Sequence, residues 1–151
     1  MRTFALFTLG LLAGCATSHG VLLTQLNPPP RALSTAALVS APSNSTNMDQ
    51  VIENELRANG LEVKPAAPAE TRRSPDVDLL VAYVDHWWWD LAMYLVSVDV
   101  NIFDAQNGNL LAQGHWHDAR YFHGFHDPAA AVHEIVPDML SQIRNAPAGA
   151  K

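Results

Sequence analysis

The clearest pattern in the chain runs from Tyr94 to Phe103. Tyr94, Val96, Val98, Val100 and Ile102 alternate with Leu95, Ser97, Asp99 and Asn101, the period-two signature of a strand with one face in a core. Before it, Val77 to Val84 is apolar at nearly every position, which predicts a central strand covered on both faces. After it, Asp104-Ala105-Gln106-Asn107-Gly108-Asn109 is rich in turn residues and leads into a third strand, Leu110 to Tyr121. These three strands are expected to form an antiparallel meander.

Two stretches switch to helical periodicity. Met48, Val51, Ile52 and Leu56 share one face, Asn47 with Gln50 approximates a capping box, and Gly60 suits a left-handed stop. Near the end, Asp127-Pro128 is an N-cap with proline at the first helical position. Val132, Ile135, Val136, Met139, Leu140 and Ile143 then make an apolar stripe. Pro137 interrupts that stripe and predicts a kink or two short helices, since it removes a donor and crowds the preceding turn. Ala36 to Ala41, stopped by Pro42, reads as a first strand, and Leu61-Glu62-Val63 as a second. The expected fold is therefore α+β, with a four- to five-stranded, mostly antiparallel sheet and two helices packed on one face.

Composition bounds the class. The 151 residues are 48% hydrophobic and 16% charged, which fits one globular domain with a true core. The formal charge of −6 and the scarcity of clustered Lys and Arg argue against nucleic acid or an anionic lipid surface as an electrostatic partner. The single cysteine, Cys15, rules out an intramolecular disulfide.

Cys15 carries the strongest motif. An apolar run from Phe4 to Leu12 follows Arg2 and ends in Leu12-Ala13-Gly14-Cys15. The run is too short to cross a bilayer, for which about 20 residues are needed, and has the anatomy of an export signal. The segment resembles the lipobox of bacterial lipoproteins, which implies cleavage before Cys15 and acylation, palmitate included, of that residue. Ala16, where inner-membrane lipoproteins carry aspartate, implies an outer-membrane destination, and the domain is expected to face the periplasm. The expected organisation is a signal peptide over 1–14, a lipidated tether over 15–34 built around Pro28-Pro29-Pro30, and one α+β periplasmic domain over 35–147. Within the tether, Val21-Leu22-Leu23 has the composition of a short strand.

The lipobox, the helix end Arg57-Ala58-Asn59-Gly60-Leu61, the segment Pro75-Asp76-Val77-Asp78-Leu79-Leu80-Val81 and the turn Asp104 to Leu111 together resemble small Gram-negative outer-membrane lipoproteins of uncharacterised function. Their α/β domain is similar to that of the curli secretion lipoprotein and of accessory lipoproteins in envelope assembly. The resemblance implies a binding or assembly module and supplies no catalytic residues.

Two clusters hold candidate chemistry. On a strand, Trp87 and Trp89 point one way and Trp88 the other. Either the helices and a neighbouring segment cover them, or they offer a contact for a protein partner, a second protomer or a membrane interface. Five of the seven histidines lie between His115 and His133. His115 and His117 share a strand face, and with His123 and His126 form a candidate zinc or copper site. The other reading is a solvent-facing strand rich in imidazole. No nucleophile elbow or phosphate loop is present, and Asp85 and Asp90 read as charges flanking a strand end. The expected function is a non-catalytic, lipid-anchored module, without a cofactor, that binds a protein or self-assembles in outer-membrane maintenance or secretion. A metal-binding or metal-sensing lipoprotein is the alternative, and an unrecognised hydrolase a third class.

Overall fold

The computed structural model describes residues 17–23, 32–118 and 126–146. Its elements follow in the order β1 (Thr17–Leu23), β2 (Thr35–Leu38), α1 (Thr46–Ala58), β3 (Glu62–Val63), β4 (Leu79–Asp90), β5 (Ala92–Asp104), β6 (Leu110–Asp118) and α2 (Pro128–Asn145). The fold is α+β, and its strands form one six-stranded sheet of order β1-β6-β5-β4-β2-β3. The expected meander is present as β4-β5-β6, antiparallel throughout. The sheet is larger and more mixed than a four- to five-stranded antiparallel one. Strand β2 runs parallel to both β3 and β4, because α1 returns the chain in the same direction between β2 and β3 and the 64–78 connection does so between β3 and β4.

The extra strand comes from the predicted tether. Thr17–Leu23 pairs antiparallel with β6 along its whole length, from Thr17 opposite Asp118 to Leu23 opposite Ala112. Val21 and Leu23 pack on the core while Leu22 faces out, so only a short alternating stretch of β1 is legible as strand. Its ladder with β6 holds the rest.

Both helices lie on one face of the sheet, as the stripes require. Met48, Ile52 and Leu56 of α1 and Val132, Ile135, Val136, Met139, Leu140 and Ile143 of α2 are buried against Leu79, Val81, Val98, Val100, Ile102 and Trp116. A smaller cluster of Ala37, Val77, Leu80 and Ala105 closes part of the opposite face. Gly60 takes the left-handed conformation expected of it at φ +84°. The cap of α1 is Ser45 and not the Asn47 box, and its side chain makes no capping bond. Its hydroxyl donates instead to Asp85 Oδ2 at 2.7 Å. At α2, Asp127 accepts from the Ala129 N–H at 2.9 Å.

Two expectations resolve differently. Helix α2 runs continuously through Pro137. The carbonyl that loses its partner four residues back belongs to His133, an exposed residue, where solvent can bond it. In β5 the alternation changes phase. His86 pairs with Ser97 but Trp87 pairs with Leu95, so Val96 is an extra residue in the ladder, a bulge. Leu95 therefore enters the core, and Val96 is only half-buried.

Candidate functional site

Among the described residues, strands β4 and β5 outrun their neighbours and form a projecting hairpin. Opposite residues of an antiparallel pair share a face, so the pairs Trp87 with Leu95, Trp88 with Tyr94, and Trp89 with Met93 place the three tryptophans alternately, as expected. Trp87 packs on the main core and its Nε1 donates to Asp85 Oδ2 at 2.5 Å. The helical cover ends there. Trp88 and Trp89 are each 64% exposed, Met93 55%, and Leu91, at the apex between Asp90 and Ala92, 92%. Leu91 also sits at φ +61°, a region that a side chain with a Cβ enters at a cost of about 1–2 kcal/mol. Leu91 and Met93 complete an apolar tip that the sequence does not announce, because Asp90 is the one usual turn residue in Asp90-Leu91-Ala92 and no Gly, Pro or Asn accompanies it.

Asp85 is the hub behind this tip. It is buried, accepts from the Ser45 hydroxyl and from Trp87, and takes the Ser45 N–H at 3.3 Å. It thus ties the start of α1 to the root of the hairpin. Beside it, the Tyr83 hydroxyl donates to Asp49 Oδ1 at 2.6 Å. Burial, that hydrogen bond and the charges of Asp49 and Asp85 push the phenol far above its usual range, so Tyr83 is a fixed donor. Asp85 is a structural anchor and not half of a carboxylate pair with the exposed Asp90.

Among the described residues the histidines do not converge. His115 and His117 share the face away from the helices, with ring centroids 6.2 Å apart and planes 15° from parallel. His115 Nδ1 lies 2.6 Å from Asp99 Oδ1 on the neighbouring strand. His126 stands edge-on to Trp116 at 5.3 Å and 3.2 Å from Asp118 Oδ2. The side chains of Trp116 and Asp118 take the opposite face of β6 from those of His115 and His117, so the sheet separates His126 from His115 and His117. His133 faces Glu55, and His19 faces Glu134. Among the described residues no three His, Cys, Asp or Glu side chains group as metal ligands. His123 and Cys15 lie outside the described residues.

A shallow groove of about 580 Å³ runs between Ala37, Lys64, Pro68, Arg73 and Asp76. Its cations are engaged: Lys64 with Glu62 and Arg73 with the Asn107 carbonyl. Among the described residues, no helix is long and apolar enough to cross a membrane.

No protein-family profile matches the sequence. No curated protein matches it either. Solved structures share its fold. The PelC dodecamer from Paraburkholderia phytofirmans is similar in two crystal forms. In one the TM-score is 0.53 at 19% identity, over 86% of this chain and 100% of PelC. In the other it is 0.52 at 17%, over 84% and 98%. A PDZ domain protein from Parabacteroides distasonis is similar at a TM-score of 0.52 and 14% identity, over 91% of this chain but 38% of its own. At these identities the likeness is one of fold.

Proposed function

We propose that this protein is a non-catalytic, lipid-anchored envelope protein that works by assembling with copies of itself, held to the outer membrane by acylated Cys15 and facing the periplasm. The observation that carries the assembly reading is the PelC likeness: a dodecamer whose whole subunit length is covered by this fold. The lipobox carries the anchor. Side chains that the sequence offered for chemistry are occupied otherwise, Asp85 by Ser45 and Trp87, and His115 by Asp99, which supports a module over an enzyme. Edge strand β1 supplies a further means of association. It spans seven residues and uses one side of its ladder on β6, which among the described residues leaves the other side's N–H and C=O groups as a template.

The test is the mass of the full chain purified from envelopes in mild detergent, read by light scattering together with intact mass spectrometry. A closed oligomer of several copies with an acylated Cys15 is the expected result. A chain that stays monomeric through the micromolar range overturns the assembly reading. A free thiol at Cys15 overturns the anchor.

A further inference from the structure

We infer that the β4–β5 hairpin tip, with Trp88, Trp89, Leu91 and Met93, is a second membrane contact that enters the interface of the same bilayer that holds the lipid. The inference rests on the reading of Cys15 as the acylated residue. Its geometry comes from the ladder register.

Thr17 is opposite Asp118, and the neighbouring His117 is opposite Ser97, which is opposite His86. The start of β1 is therefore level with the root of the tip, near Trp87 and Leu95. Trp88, Trp89 and Asp90 extend past that level, by roughly 10 Å at about 3.3 Å per residue. Cys15 is two residues before Thr17, and two residues of chain span at most about 7 Å. The lipid attachment point is thus confined to the end of the sheet from which the tip projects. Only two neighbouring strands, β6 and β5, separate β1 from β4, a lateral offset of about 14 Å at the spacing of strands in a sheet. With β1 bound into the sheet, the length available between lipid and domain is a dipeptide, and a bilayer reached by the lipid is also reached by the tip.

The tip's chemistry fits that surface. Leu91 is almost fully exposed in a backbone conformation that disfavours it, so neither solvation nor local conformation rewards an apolar side chain there. Two exposed indoles pair a large apolar ring with a polar N–H, the combination that settles at headgroup depth. Asp90 beside them limits the depth to the interface, because a carboxylate does not enter the hydrocarbon. No Lys or Arg lies between Val77 and Leu111, so the attraction is apolar and not electrostatic.

The experiment uses the full chain, purified from envelopes in mild detergent and reconstituted into phosphatidylethanolamine–phosphatidylglycerol vesicles containing phosphatidylcholine brominated on its acyl chains. Bromine quenching of tryptophan emission is the readout, with intact mass reporting acylation of Cys15. Expected are quenching in the parent and its loss in the Trp88→Ser, Trp89→Ser variant, with acylation and melting midpoint unchanged. An acylated, vesicle-bound parent that is not quenched overturns the inference. So does quenching that survives in the double variant, because it then belongs to Trp87 or Trp116. A photo-crosslinker at Met93 that captures a second copy or another protein in place of lipid overturns it in favour of a protein contact. A free thiol at Cys15 overturns this inference together with the anchor, and the mass alone tells that outcome from the others.

Discussion

Gly114 of β6 lies beneath Met139 of α2 so closely that a Cβ on the glycine would sit 2.6 Å from the methionine sulfur. The missing side chain is what lets α2 settle onto the sheet beside Ile135, whose Cβ would be 3.4 Å away. Gly114→Ala is expected to cost about 1–3 kcal/mol, the usual penalty of overfilling a packed core. Met139→Ala leaves a void of its own. Because the two changes share one volume, the double variant should be less destabilised than the sum of the singles. Urea unfolding of the four chains tests this, and strict additivity would contradict it.

Asp85→Ala removes the acceptor of both the Ser45 hydroxyl and the Trp87 indole. Stranding buried donors costs about 1–3 kcal/mol each. The expected result is a clear loss of stability together with a red-shifted tryptophan emission as Trp87 leaves its site. A melting curve and emission spectrum that match the parent would show that Asp85 does not tie the hairpin to α1.

Asp78 gives a pH signature. Burial opposes its ionisation, but Oδ2 accepts from the backbone N–H and hydroxyl of both Ser34 and Thr35, at 2.9 to 3.0 Å. Those bonds outweigh burial and hold the carboxyl below its usual value of 3.8. A folded-state pKa below the unfolded one contributes stability that is present above the unfolded pKa and lost as pH falls through the folded one. The stability gap between the parent and Asp78→Asn should therefore be constant near neutrality and shrink with acidification below 3.8. A gap that grows on acidification would reverse the assignment.

Leu91→Asn should preserve or raise stability, by up to about 1 kcal/mol, because asparagine tolerates the left-handed conformation better than leucine. Thermal unfolding measures it. A lowered midpoint would mean that Leu91 supports the hairpin itself.

How much of this was legible follows from where the information sits. Val98, Val100 and Ile102 carry their own alternation, and the stripes of both helices carry theirs, so the meander and its helical cover could be read directly. The bulge could not. Leu95 and Val96 are both apolar, and only the pairing of Trp87 with Leu95 decides which of them turns inward. Strand β1 was hidden for a related reason: Thr17-Ser18-His19-Gly20 has linker composition and becomes strand by borrowing the edge of β6. The tryptophan alternation was readable, whereas the apolar tip depended on knowing how far the helices reach. The histidines looked like a cluster because sequence proximity does not record which side of a sheet each ring takes.

The pairing of Thr17 with Asp118 also sets an order of events. Among the described elements strand β1 is made before the others, and its partner β6 follows four intervening strands and a helix. Closing a loop on the order of a hundred residues carries an entropic cost that local hairpins avoid. The β4-β5-β6 hairpins therefore have the kinetic advantage, and the first-made strand docks late. Until it does, the outer edge of β6 is an open slot, and a neighbouring chain's β1 competes for it on equal chemical terms. Crowding many nascent copies together would thus favour exchange of this one strand between molecules, a hazard set by topology and not by any single residue.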